Sequence, residues 1–262
     1  MSISIAVAGK GGTGKTTLSA LMVRILRQNG IRPILAVDAD PNSTLAEALG
    51  TELGKPLADI REEKSTAEGS PPSGTGRVRA IEDEIQRAIS EEEGFDLIGM
   101  GHPEGPRCYC YVNTLLRKSL DDLARNYQAV VLDNEAGMEH LSRRTTNDVD
   151  FLIAVMNPTL PSLRAVQRII KLTDGLPINI GQRAVLVNRV GPEGIPPEIQ
   201  SELDAIDALR LIDVPQDDTV EHAGAVGEDV FQLAEDCPAV EAVRRVVKTL
   251  CTASRPSASA SH

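Results

Sequence analysis

The sequence predicts an α/β fold, a single doubly wound, mainly parallel sheet with helices on both faces. Short apolar runs alternate with segments of helical periodicity, the pattern of strands joined by right-handed helical crossovers. A glycine-rich loop follows the first apolar run and opens a helix, as in sheets that bind ligands at the carboxyl ends of their strands. The chain has 262 residues, 41% of them hydrophobic, enough for one large core. Residues 1–250 read as one domain and residues 251–262, ending in SRPSASASH, as a disordered tail. Aromatics make up 2% of the chain and Trp is absent, so the core must come from Val, Ile, Leu and Ala, with no platform for stacking bases.

Strands are expected at residues 3–8, 34–37, 97–100, 129–132, 151–155 and 184–187. Helical spacing is clearest over residues 17–29, closed by Gly30, and over residues 160–173. The stretch 64–76, which contains GSPPSGTG, is too rich in Gly, Pro and Ser to pack and reads as a mobile surface loop.

A net charge of −11 disfavours nucleic acid and stable membrane association, although local dipoles can still hold a nucleotide. Neither a secretory leader nor a span of about 18 apolar residues is seen, so a cytoplasmic protein with reduced thiols is expected. Of the four cysteines, Cys237 and Cys251 occupy apolar helical positions and read as buried fillers.

The first strand runs into GKGGTGKTT, Gly9 to Thr17, which satisfies G-x-x-x-x-G-K-[ST] in the strand-to-helix context that this motif requires. Gly11, Gly12, Thr13, Gly14, Lys15, Thr16 and Thr17 would wrap the phosphates. Lys15 would reach the β- and γ-phosphates and Thr16 would ligate Mg²⁺. Lys10 departs from the ordinary motif. Two ammonium groups on one short loop repel unless the first reaches a different part of the charge. The loop resembles the deviant Walker A of the P-loop ATPase class that contains nitrogenase iron protein and the division-site and plasmid-partition ATPases. That resemblance implies a P-loop NTPase fold, catalytic parts for Lys10 and Lys15, and a Lys10 that crosses a homodimer to the partner's nucleotide.

AVDADPN places Asp38 and Asp40 at a strand end, and AVVLDNEAG places Asp133 after four apolar residues. Carboxylates there can hold Mg²⁺ or its waters and orient the attacking water. The resemblance assigns water positioning to Asp40 and the metal shell to Asp38 and Asp133, with Glu135 open. VLVNRVG supplies Asn188, but Gly191 stands where a guanine-reading Asp would be needed, so the base should be adenine. Related ATPases frame adenine with the corresponding Asn and a loop like DVPQDD, which nominates Asn188, Pro215 and, more weakly, Asp217.

GPRCYCYVN spaces Cys108 and Cys110 so that both sulfurs leave one face of an extended segment. Residues i and i+2 meet disulfide geometry poorly, so a shared metal is more natural, yet tetrahedral Zn²⁺ wants four ligands. A two-fold axis doubles the pair to four sulfurs, suited to Zn²⁺ or, with different geometry, Ni²⁺. GKGGTGKTT, DADP, CYC and DNEAGMEHLSRRT together resemble the CooC-type maturation ATPases that assist nickel insertion into carbon monoxide dehydrogenase. The resemblance covers nearly the whole chain to about residue 250, outside the loop. It implies ATP-driven homodimerisation, a metal held between subunits by Cys108 and Cys110, and nickel carbon monoxide dehydrogenase as partner.

Three rivals stay open. An electron-delivering [4Fe–4S] iron protein needs a cysteine shortly after the second switch, where this chain has Gly137 to Leu141 without one. A partition or cell-division ATPase needs a basic or amphipathic surface, for which VEAVRRVVKTL is the best segment, though Arg244, Arg245 and Lys248 read more simply as a solvated face. An iron–sulfur scaffold usually brings C-x-x-C. His102 could supplement the thiols but reads as a loop residue, and His140 as a cap or packing residue.

Overall fold

A computed structural model describes residues 2–40, 43–59, 75–101, 122–134, 148–175 and 178–254. Eight strands form one sheet: β1 (Ile3–Gly9), β2 (Ile34–Ala39), β3 (Ser90–Glu92), β4 (Phe95–Gly99), β5 (Ala129–Asn134), β6 (Asp148–Met156), β7 (Asn179–Val187) and β8 (Leu209–Arg210). Their order is β3-β4-β2-β5-β1-β6-β7-β8, parallel throughout except for the antiparallel β3–β4 edge. The helices are α1 (Lys15–Gln28), α2 (Thr44–Ala48), α3 (Thr75–Ala88), α4 (Leu160–Thr173), α5 (Pro197–Asp204), α6 (Asp218–Val226) and α7 (Pro238–Ala253).

The alternation of strand side chains divides the core into two layers. From β1, Ile3, Ile5 and Val7 point into a layer filled by α1 and α7, while Ala6 and Ala8 enter the opposite layer with Leu163, Val166 and Ile170 of α4. Because both faces of the inner strands are covered, they read as continuous apolar runs. α7 commits Val240, Val243, Val246, Val247 and Leu250 to the first layer. At roughly 1.5–3 kcal/mol per buried aliphatic side chain, that face anchors α7 firmly.

The six expected strands are all present, and each is longer than its apolar run. β2 and β5 continue through Asp38, Asp133 and Asn134, polar residues that are fully buried at strand ends. β6 starts at Asp148, and its Asp150 accepts bonds from Ser4 N at 2.7 Å and Ser4 Oγ at 2.9 Å. The edge strands β3 and β8 carry no apolar run and were not legible. Thr75 and Gly76, expected in the mobile loop, open α3 instead, and residues 64–74 lie outside the described residues. α7 runs to Ala253, past the boundary drawn at residue 250. Among the described residues no helix is long and apolar enough to cross a membrane.

Candidate nucleotide-binding site

β1 is the central strand, flanked by β5 and β6, and the loop after it lies at the carboxyl end of the sheet. Gly9 is demanded by close approach, since a Cβ there would sit 2.4 Å from the Val155 carbonyl oxygen. Gly14 has a left-handed φ of 88°, and a Cβ would meet Asn188 Nδ2 at 2.4 Å. The loop is internally braced: Lys10 O accepts from Thr13 N at 3.3 Å and from Thr13 Oγ1 at 2.8 Å.

α1 then begins without a capping side chain and with no acidic residue in its first turn. A 14-residue helix whose first amides stay free of side-chain partners presents donors and a positive dipole end to an anion. Lys15 is 7% exposed, its Nζ 3.5 Å from the Lys10 carbonyl oxygen. Lys10 is exposed, so the two ammonium groups occupy different environments on the same loop.

Beside the loop, Asp38 and Asp133 are register partners on β2 and β5. Asp38 accepts from Asp40 N at 3.1 Å and Leu45 N at 2.9 Å, while burial pushes its carboxyl up to about 6. Asp133 accepts from Ser19 Oγ at 3.3 Å, and its Oδ2 is buried with no hydrogen-bond donor. Burial raises Asp133 to about 7; the Thr16 hydroxyl, Lys15 and Ser19 oppose the rise and Asp38 adds to it. An orphaned carboxylate oxygen beside a second carboxylate and the Thr16 hydroxyl fits a hard divalent cation such as Mg²⁺. Asp40 is half-buried just beyond β2, and Thr44 Oγ1 lies 3.5 Å from Thr16 Oγ1.

A cavity of about 490 Å³ adjoins the loop. It is lined by Gly14 and Thr17 from the loop side, Asn188 and Pro215 beyond β7, and Val220 and Gly224 of α6. The structure thus brings Asn188 and Pro215 together beside the phosphate loop. Asn188 Nδ2 donates to Thr13 O at 2.9 Å, so this residue also buttresses the loop.

Asp217 lines the cavity beside Asn188 and Pro215, and its carboxylate is engaged in the fold. Oδ1 caps α6 through Thr219 N and Val220 N, and Oδ2 accepts from Cys237 Sγ at 2.9 Å and Ala239 N at 3.1 Å. Burial alone would raise this carboxyl, but the bonds from Cys237, Ala239, Val220 and Thr219 hold it below the usual carboxylate range. Cys237 is therefore more than a filler, whereas Cys251 is partly buried on α7. Sequence reasoning missed Arg189 and the α6 wall, whose signal was the helix start at DDTV. Cys108, Cys110, His102, Glu135 and His140 lie outside the described residues, and among the described residues no group of three or more His, Cys, Asp or Glu could hold a metal ion.

Comparison with known proteins agrees with this geometry. The family described as CobQ/CobB/MinD/ParA nucleotide binding domain matches residues 4–230. An uncharacterized ATP-binding protein of Methanocaldococcus jannaschii is 43% identical over 72% of this chain and 75% of its own length. The carbon monoxide dehydrogenase accessory protein CooC of Rhodospirillum rubrum is 28% identical over 90% of this chain and 92% of its own. The septum site-determining protein MinD complexed with Mg-ADP from Pyrococcus horikoshii superimposes with a TM-score of 0.67 at 21% identity, covering 95% and 96% of the two chains. The chain is a P-loop protein that belongs to the CobQ/CobB/MinD/ParA nucleotide-binding family.

Proposed function

We propose that this chain is an ATP-hydrolysing, homodimerising maturation factor that carries a metal between its subunits and assists nickel insertion into carbon monoxide dehydrogenase. The observation that supports it most is the 28% identity to the accessory protein CooC over 90% of this chain, combined with the Cys108-x-Cys110 pair. In this reading the amides of Gly11 to Thr17 and the Lys15 ammonium bind the triphosphate, and Asn188 and Pro215 frame adenine. Thr16, Asp38 and Asp133 would hold Mg²⁺, which supplies neutralisation of the phosphate charge. Asp40 orients the attacking water, and Lys10, exposed at the mouth of the loop, reaches the nucleotide of a second copy. ATP biases the monomer–dimer equilibrium, and pairing assembles four thiolates around one Zn²⁺ or Ni²⁺ ion, the cargo. The protein would work in the cytoplasm.

Asp40→Ala is expected to bind ATP yet remain dimeric, because hydrolysis no longer releases the pair. Sedimentation velocity with ATP reads this directly, and a persistent monomer would refute the assignment. Cys108→Ser and Cys110→Ser should each lose the metal while ATP affinity changes less than about twofold, since thiolate ligation is separate from the phosphate loop. Metal retained at the wild-type ratio in both variants would reject the thiol site.

A second reading, a partition or division ATPase, draws on the likeness to MinD. Against membrane binding, the apolar face of α7 is spent on the core. Robust ATP-dependent co-sedimentation with liposomes or DNA would favour this alternative.

A further inference from the structure

We infer that Arg189 is a positioning residue that ties the phosphate loop to helix α6, the far wall of the cavity; the inference rests on the nucleotide reading of that cavity. Arg189 has a left-handed φ of 57°, a conformation that a residue other than glycine keeps only where the surroundings enforce it. From this position Nη1 donates to Gly12 O at 3.0 Å, and Nε lies 3.3 Å from Glu221 Oε1 on α6. Asn188 holds the next carbonyl, Thr13 O. Two successive side chains beyond β7 therefore grip two successive carbonyls of the loop.

The consequence follows from peptide planarity. In a trans peptide the carbonyl and the following N–H point in opposite directions. With Thr13 O turned toward Asn188, the Gly14 amide faces the other way. With Gly12 O turned toward Arg189, the Thr13 amide is set for its bond to Lys10 O. The curl of the loop is fixed from outside, by groups that need not touch a phosphate.

The other end of the tether is weakly held by packing. Ala223 is the one buried residue of α6, although Val220, Glu221, Gly224 and Ala225 line the cavity. The helix is instead pinned, at its start by Asp217 to Cys237 and Ala239, and one turn later by Glu221 to Arg189. Base wall and phosphate cradle thus share one guanidinium, whose planar fork presents Nη1 to one partner and Nε to the other.

The test uses Arg189→Gly, because glycine accepts the left-handed backbone and the change removes the side chain alone. ATP titrated calorimetrically in the presence of Mg²⁺ should bind about tenfold more weakly, as for loss of a charged hydrogen bond. The nucleotide-free melting temperature should change little, because glycine relieves the left-handed backbone while the two bonds are lost. Glu221→Ala should weaken ATP in the same direction, the double variant should be no weaker than Arg189→Gly alone, and Arg189→Lys should recover part of the loss. Wild-type affinity in Arg189→Gly, or a double variant whose loss is the product of the single losses, overturns the tether. If Arg189→Gly does not melt cooperatively, Arg189→Lys combined with Glu221→Ala completes the same cycle: a loss no greater than that of the larger single variant supports the tether, and a loss equal to the product overturns it. Wild-type protein that takes up no ATP would defeat the nucleotide reading itself, so the two failures are distinguishable.

Discussion

Lys15→Ala is expected to abolish ATP binding, weakening it at least about a hundredfold, or ~2.7 kcal/mol, while the protein stays folded. The size follows from where the ammonium sits. Lys15 is nearly buried, and Lys10 O at 3.5 Å is a long contact for a charge removed from water. A nearly buried cation gains strongly when a polyanion arrives, and charge-assisted bonds of this kind contribute about 1.5–3 kcal/mol. The substitution also removes a positive charge that favours ionised Asp133, so the carboxylate expected to help hold Mg²⁺ becomes harder to charge. Two losses then act together. Isothermal titration with ATP and Mg²⁺ measures the effect, and binding within about threefold of wild type would refute the role given to Lys15. A thermal melt without nucleotide separates this outcome from unfolding.

The phosphate loop was legible because its chemistry is local: spacing, glycines and the helix that follows are contiguous in sequence, and Gly9 to Thr17 run from the end of β1 through a turn into α1. The sheet was legible for a related reason, since strands buried on both faces leave unbroken apolar runs. Strand ends were not. Asp38 and Asp133 come just after the apolar runs 34–37 and 129–132, yet both lie inside the strands because each finds hydrogen-bond donors there, Leu45 N and Asp40 N for one and Ser19 for the other. The α6 wall was hidden because it has almost no apolar face, and its position is set by contacts such as Asp217 with Cys237 and Arg189 with Glu221, 20 and 32 residues apart in the numbering. Pairings of that kind become visible only once the chain has folded.

The paired carboxylates lead to the second large effect: nucleotide-free protein should lose stability as pH rises from 5 to 8. Asp38 is raised to about 6 and Asp133 to about 7 from an ordinary 3.8, in both cases chiefly by burial. Between about pH 4 and 7 the folded protein therefore holds protons that the unfolded chain has released. The stabilisation they give is complete below the unfolded value and is lost as pH climbs through the folded values, on the order of a few kcal/mol for the pair. Above pH 7 the folded state must carry two adjacent buried charges, which a divalent cation with ATP would relieve, so the stabilisation by Mg²⁺ and ATP should grow over the same range. Asp133→Asn separates the two effects. It removes the cost of charging, so the variant should melt higher than wild type at pH 8 without nucleotide, and it should gain little from Mg²⁺ with ATP because the anionic ligand is gone. Melting curves at pH 5, 6.5 and 8, with and without Mg²⁺ and ATP, decide the matter. A wild type whose pH dependence matches that of Asp133→Asn would show that burial of this carboxylate costs the fold nothing. An Asp133→Asn protein stabilised by Mg²⁺ and ATP as strongly as wild type would show that Asp133 is not part of the cation site.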